Sequence, residues 1–225
     1  MSEIFVSRKP LSRRSFLKAG CLTAAAGGLA VCGVSMAIPI PDPASVDLPS
    51  SSYGEPTKNN RVLVAYASAL GSTAGVAAEI GKTLGAGGFS VDVRPVRDNP
   101  QLEGYQAVLL GSAVHHGNWL PEAVEFVKSN QDALRGVPVA VFTVHITNMG
   151  NDANSRKNRL AFLDEVRPLL QPVEEVFFSG KFDRRGAALL LPGLLARLVP
   201  PMDFRNWGKV RTWAEGIGPR LFQKV

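Results

Sequence analysis

Cysteine is nearly absent from this chain: Cys21 and Cys32 are the only two among its 225 residues. Both lie near the N-terminus, ahead of the part of the sequence that predicts a folded domain. That domain holds no thiol, so it can form no disulfide and offers neither a cysteine nucleophile nor a zinc thiolate. The scarcity of cysteine therefore excludes thiol enzymes and disulfide-stapled scaffolds.

A strong basic excess is also missing from most of the chain. The net charge is +6, but residues 1–37 hold five basic residues and one acidic residue, a net of +4. Only +2 remains for all the rest. The positive charge therefore gives no support to nucleic-acid binding, and we predict no nucleic-acid partner.

The first 37 residues have the three parts of an export signal. A charged start is followed by an uncharged run from Ala19 to Pro41, with small residues at Ser35 and Ala37. The pair Arg13-Arg14, followed by Phe-Leu-Lys, resembles the twin-arginine type, whose route carries folded proteins that often hold a cofactor. We predict export across the inner membrane to the periplasm or cell envelope, with the twin-arginine translocation machinery as a partner. An ordinary secretory signal, or an uncut segment that anchors the protein at the membrane, is the alternative.

Beyond residue 37 the chain predicts one linker and one domain. Residues 38–60 are rich in Pro, Ser and Asp and lack periodicity, which is typical of a linker. Residues 61–225 alternate apolar runs with helical stripes and have a normal length for one core. We predict strands at 61–67, 90–96, 105–113, 137–146 and 173–180, and helices after Gly71, from Pro121, at 154–170 with Leu160, Leu163 and Val166 inward, and at 206–223.

This alternation predicts an α/β fold. Parallel strands joined through helices require right-handed crossovers, which place helices on both faces of a doubly wound sheet. Five strands fit the order 2-1-3-4-5, in which ligands bind beyond the carboxyl ends of the strands, where the order reverses. Three loops meet there, at 68–73, 113–120 and 145–151.

The first of these loops has the composition of a phosphate site. Hydroxyls and backbone N–H groups at a helix start suit a phosphate, and Gly71 allows the tight turn. The loop contains no Lys or Arg, which argues against a nucleoside triphosphate. A helix capped by Ser or Thr is the plainer alternative. The candidate residues here are Ser68, Leu70, Gly71, Ser72 and Thr73.

The other two loops offer groups that suit a planar aromatic cofactor. Trp119 has a flat face for stacking, and His115 and His116 can donate hydrogen bonds or carry a proton. Alternatively Trp119 packs against its helix and the histidines face solvent. With no cysteine or acidic residue nearby, we predict no metal site. The candidate residues are Ala113, Val114, His115, His116, Gly117, Asn118 and Trp119 in one loop, and Thr143, His145, Thr147 and Asn148 in the other.

Three pieces of sequence carry a family resemblance: Tyr66–Thr73, Leu110–Gly117 with Glu125–Val127, and Asp203–Trp207 ahead of Trp213. From Arg61 onward the chain resembles the flavodoxin superfamily, and more narrowly the flavodoxin-domain family that contains menaquinone-dependent protoporphyrinogen dehydrogenase. The resemblance implies a flavodoxin-like fold and FMN, with its phosphate at 68–73 and its ring between the loops at 113–119 and 143–150. Beside such a ring His115 or His116 could shuttle a proton, which makes them the candidate catalytic residues.

A basic and apolar segment precedes the last helix. Residues 181–211 hold seven basic residues against two acidic ones, and an apolar run at 186–199 lies among them. The run is too short to span a bilayer, but this pattern suits contact with a membrane surface. We predict such contact through an insertion at 181–205; packing of the apolar run over the core is the alternative.

Two functions follow from these patterns and the resemblance. The first is an exported FMN-dependent oxidoreductase that passes electrons between a reduced substrate, porphyrinogen-like by analogy, and a membrane quinone. The second is a flavodoxin-like electron carrier that serves protein partners. Small carriers tend to be acidic around the flavin, whereas this chain has a basic insertion, which favours the enzyme.

Overall fold

The structure, a computed structural model, describes residues 46–56, 59–182 and 198–223. The strands are β1 Ser51–Tyr53, β2 Arg61–Ala67, β3 Ser90–Pro95, β4 Ala107–His115, β5 Asn118–Trp119, β6 Val139–His145, β7 Glu174–Ser179, β8 Lys181–Phe182 and β9 Met202–Asp203. The α-helices are α1 Ser72–Ala86, α2 Pro121–Ser129, α3 Gln131–Arg135, α4 Ala153–Ala161 and α5 Trp207–Leu221.

Five parallel strands form the centre of the sheet in the order β3-β2-β4-β6-β7. In sequence order of the parallel strands this is 2-1-3-4-5, so the predicted flavodoxin-like fold is confirmed. The first of these strands, β2, is buried on both faces from Val62 to Ala67, as its continuous apolar run predicts. Antiparallel β1 extends the edge beside β3, and short β5 folds back on β4.

Helices cover both faces of the sheet, as predicted. On one face α1 and α5 bury an apolar stripe that includes Ile80 and Ile217. On the other face α2 and α3 pack with Leu163 and Val166 against the opposite sides of the same strands. Because the helices shield the faces, the carboxyl ends of the strands are where the loops can form a ligand site.

Part of the predicted linker belongs to this folded unit. Val46 and Leu48 are each 5% exposed and join the core beneath α1 and α5. The Tyr66 hydroxyl donates to the Pro49 carbonyl at 2.8 Å, and Arg94 donates to the Ser51 carbonyl at 2.7 Å. Residues 46–53 therefore complete the edge of the sheet and belong to the folded unit, although the sequence predicts a linker over 38–60.

The helix predicted at 154–170 is shorter than its apolar spacing indicated. Helix α4 ends at Ala161, and the chain continues in turns in which the Leu163 N–H donates to the Leu160 carbonyl, three residues back. Leu163 and Val166 are buried as predicted, but Leu160 is 49% exposed. The tighter turns rotate the buried side chains away from the stripe of an ideal helix, so that Leu160 faces outward.

Leu48→Ala tests whether residues 46–53 stabilise the domain. We expect the free energy of unfolding to fall by about 2–4 kcal/mol, because the change leaves a cavity in the core. The matched control, Leu160→Ala, removes the same atoms from a half-exposed position and should change the free energy by less than about 0.5 kcal/mol. Urea denaturation measures both, and equal losses in the two variants would contradict this account.

Three predicted segments fall wholly or partly outside the described residues. They are the export signal at 1–37, residues 38–45 and 57–58 of the predicted linker, and residues 183–197 of the predicted insertion. The two ends of that insertion pair with each other as β8 and β9, with Lys181 opposite Asp203. Across 46–56, 59–182 and 198–223, no helix has both the length and the hydropathy to cross a membrane.

Candidate functional site

A cavity of about 160 Å³ lies where the carboxyl ends of β2, β4 and β6 meet the chain that follows β7. It brings together eight of the predicted residues: Ser68, Leu70, Ser72, Thr73, Ala113, Val114, His115 and His145. Six further lining residues were not predicted: Ala69, Val144, Ile146, Gly180, Lys181 and Phe182. The site therefore stands at the reversal of strand order, as the fold requires.

The N-terminus of α1 opens on this cavity without a side-chain cap. Gly71 takes the N-cap position with φ +82°, a left-handed conformation that favours glycine, and a Cβ there would meet nothing within 4 Å. The Gly71 N–H donates to the Ser68 hydroxyl at 3.0 Å, which fixes the turn. The first turn of α1 holds no acidic residue. The positive end of the helix dipole is therefore left for an external anion.

The hydroxyl of Thr73 has no hydrogen-bond partner among the described residues, although the residue is fully buried. An unpaired buried hydroxyl costs about 1–3 kcal/mol, so its partner is expected to be a ligand. Its neighbour Ser72 is positioned from outside the loop, because its hydroxyl accepts the Lys181 N–H at 2.9 Å. Two hydroxyls and a helix start thus converge on one side of the cavity.

The loop after β4 is a tight β-hairpin. His116 and Gly117 form its two-residue turn with φ +50° and +85°, the pattern of a type I′ turn. His116, Gly117 and Asn118 are exposed and do not line the cavity, whereas His115 does. The two imidazole rings meet edge to face at 4.0 Å. Partial loss of hydration, with the charge of His116, lowers the pKa of His115, so its ring is neutral at pH 7.

The prediction that Trp119 offers a stacking face is wrong for this structure. Closure of the hairpin turns its indole inward, where it is 3% exposed and packs in the core with α2. Its Nε1–H donates to the Thr143 hydroxyl at 2.9 Å, and Thr143 is itself fully buried. This bond links β5 to β6, and neither predicted residue lines the cavity.

The last two predicted residues, Thr147 and Asn148, support His145 and do not line the cavity. The Thr147 carbonyl lies 2.6 Å from Nδ1 of His145, while Asn148 has φ +56° and its carbonyl accepts a hydrogen bond from Arg159. Burial, together with the charges of Arg159 and Lys209, lowers the pKa of His145 although the bond to Thr147 opposes the shift. Thr147 and Asn148 thus fix a buried, neutral imidazole in the wall of the cavity and do not line it themselves.

Three of the six residues missed by sequence reasoning, Gly180, Lys181 and Phe182, come from the chain after β7. Gly180 is buried, and a Cβ there would lie 3.1 Å from Val144 and 3.2 Å from the Ser72 hydroxyl. A side chain at this position would crowd Val144 and the Ser72 hydroxyl, so glycine favours the close approach of this chain segment to the start of α1. The glycine was visible in the sequence, but its close approach depends on the pairing of β7 with β6.

The model of the family described as "Flavodoxin domain" matches residues 63–189, more than half of the chain. The chain belongs to the flavodoxin domain family. Among curated proteins it is similar to "Protoporphyrinogen IX dehydrogenase [quinone]" of Escherichia coli, strains K12 and O157:H7, each 27% identical over 88 residues. That match covers 38% of this chain and 49% of the relative, so the chain spans about half the length of the curated relatives it matches.

Solved structures of similar outline include a flavodoxin from the domain Archaea, with 15% identity and a TM-score of 0.46. The match covers 72% of this chain and 99% of that one. Oxidised flavodoxin 1 from Bacillus cereus has 16% identity and a TM-score of 0.45, with 74% and 99% covered.

Proposed function

We propose that this protein binds FMN and uses it to pass electrons between a reduced substrate and a membrane quinone. The observation that carries the proposal is the buried, unpartnered hydroxyl of Thr73 at the uncapped start of α1, on the wall of the cavity. Family membership supports a flavin at this place.

The phosphate of FMN fits the start of α1. The Thr73 and Ser72 hydroxyls and the first N–H groups of the helix would hold it, and the open space at Gly71 lets its oxygens approach the backbone. The absence of Lys and Arg from residues 68–73 is consistent with a phosphomonoester held by neutral donors. The positive end of the α1 dipole would complement the negative charge of the phosphate.

The ring of FMN fits the apolar part of the cavity. Ala113 and Val114 at the end of β4, and Val144 and Ile146 at the end of β6, line it. A bound flavin supplies reversible one- and two-electron chemistry. The neutral His115 at the rim can accept a proton and return it, while buried His145 limits the access of water. Trp119 is buried in the core and does not line this cavity.

An electron carrier that serves protein partners is the second candidate. The observation that favours it is the size of the cavity, since about 160 Å³ leaves little room for an organic substrate beside a planar ring. The name of the relatives, which includes a quinone, favours the enzyme. A porphyrinogen-like substrate remains an analogy to those relatives.

We also propose that the protein is exported and works near a membrane surface. The twin-arginine pattern at 1–37 supports export to the periplasm or cell envelope through the twin-arginine machinery. Near the insertion at 181–205, Leu198 is 75% exposed and Met202 and Phe204 are each 39% exposed, among basic residues. Exposed apolar groups flanked by cations suit the headgroup layer of an anionic membrane, where a quinone is available.

Titration with FMN tests the cofactor, and reoxidation tests the function. We expect the apoprotein to quench FMN fluorescence at one flavin per chain and to gain thermal stability. The reduced protein, kept free of oxygen, should be reoxidised rapidly by menadione and slowly by cytochrome c, with free reduced FMN as the control. A well-folded protein that neither quenches FMN nor gains stability would overturn the cofactor, and exchange with the protein acceptor alone would establish the carrier.

A further inference from the structure

A second cavity, of about 310 Å³, shares His145 with the cavity at the start of α1, which we call the cofactor cavity. It is lined by cationic and polar groups, among them Arg159 on α4 and Lys209 on α5, with Ser179 at the end of β7. His145 lines both cavities and is 5% exposed. We call this second space the Arg159–Lys209 cavity.

Among the residues that the structure describes, the two cations of this cavity donate hydrogen bonds only to backbone carbonyls. Arg159 donates from Nη1 to the carbonyls of Asn148 and Gly150, and Lys209 donates to the Phe177 carbonyl at 2.8 Å. Within the described residues, no carboxylate lies within 4.0 Å of either cation. Two positive charges therefore share one cavity without a counter-ion from the described chain.

The acidic residue in the wall of the cavity is already engaged. Glu175 accepts from Nε of Arg167 at 2.8 Å and from Nη2 of Arg167 at 2.9 Å, so its charge is balanced by a bidentate pair. Loss of hydration and the charge of Arg159 lower the pKa of Lys209. An anion in the cavity would relieve this repulsion, since an opposite charge nearby favours the protonated amine.

The donor geometry selects a carboxylate. Arg159 uses Nη1 alone for its bonds within the described chain, which leaves the Nε–Nη2 edge for a planar, bidentate partner. Lys209 adds a point charge from another element. The helix starts that border the cavity, at Asp152 before α4 and Asn206 before α5, are each capped by a side chain, whereas the start of α1 has no side-chain cap.

We propose that the Arg159–Lys209 cavity binds the carboxylate of an organic substrate whose oxidisable part reaches the cofactor cavity past His145. The proposal rests on the proposed function, because it assigns the substrate class to the same redox site. The Arg159–Lys209 cavity also offers the space for an organic substrate that the smaller cofactor cavity lacks. The substrate is then an organic acid, held by its anion and turned toward the flavin by the wall that His145 forms.

Calorimetry on the FMN-loaded full chain tests this proposal with benzoate, and with benzamide as the neutral probe of the same shape. We expect saturable binding of benzoate and none of benzamide. Lys209→Gln and Arg159→Gln should each weaken benzoate about 10- to 100-fold, since each removes a charged hydrogen bond. Lys157→Gln and Arg156→Gln, exposed on α4 and outside the cavity lining, are matched controls that should leave it unchanged.

The outcomes separate the substrate site from the cofactor site. The parent protein and each variant are also titrated with FMN. If the parent protein does not bind FMN, the proposed function fails. Retained FMN binding with no benzoate binding, or with equal affinity in all variants, would overturn the carboxylate site. Inorganic phosphate that binds here more tightly than benzoate would overturn it too. Because Arg159 also fixes the loop at 148–150, Arg159→Lys should recover part of the affinity if charge is the cause.

Discussion

Thr73→Val is expected to weaken FMN binding about 10- to 100-fold, because a charged phosphate loses one hydrogen bond of about 1.5–3 kcal/mol. The same change should leave the apoprotein as stable as the parent, or more stable, since the hydroxyl is buried and unpartnered within the described chain. Valine replaces the hydroxyl with a methyl group of similar size. Opposite effects on binding and on stability are the expected result, measured by fluorescence titration and by urea denaturation of the apoprotein.

Two controls show whether the phosphate is what Thr73 holds. Riboflavin, which lacks the phosphate, should bind the parent and the Thr73→Val variant with equal affinity. Thr83→Val, on the same helix, removes a hydroxyl that donates within α1 to the Glu79 carbonyl, and it should leave FMN affinity unchanged. If Thr73→Val lowered apoprotein stability and left FMN affinity intact, the hydroxyl would have a structural role and the phosphate would lie elsewhere.

The sequence predicted the central sheet well because each central strand has a recognisable run of apolar residues. Continuous apolar runs such as 61–67 are typical of strands buried on both faces of a parallel sheet, and glycines and helical stripes separate them. Once five such runs alternate with helices, few topologies remain. The position of the cofactor cavity followed from the same reasoning, since parallel strands end at one edge. Ser68, Thr73 and His115 could therefore be placed together from sequence.

What the sequence could not predict depends on partners distant along the chain. Strand β1 has only three residues, and it is a strand because Ser51 pairs with Val93. From sequence, the indole of Trp119 could face either the cavity or the core. It faces the core because a two-residue turn closes the hairpin and the indole donates to Thr143. The Arg159–Lys209 cavity joins α4 and α5, which no local pattern connects.

Gly111→Ala is expected to lower the free energy of unfolding by about 3 kcal/mol or more, an overpacking effect at a site that cannot relax easily. Gly111 pairs with Phe142 across β4 and β6, and the Phe142 ring lies over the glycine, with its nearest atom 1.9 Å from where a Cβ would stand. Phe142 is fully buried and packs toward Trp213, so its ring has no free space to enter.

Two further variants make this prediction specific to the clash between Gly111 and Phe142. Gly136→Ala should change the free energy of unfolding by less than about 0.5 kcal/mol, since its Cβ would come no closer than 3.4 Å to a neighbour. Phe142→Leu shortens the ring side chain, so combining it with Gly111→Ala should cost less than the sum of the single changes by about 1–3 kcal/mol. Additive losses in urea denaturation would contradict the clash. A combined loss smaller than the sum would show that Gly111 leaves the space that the Phe142 ring occupies in the core.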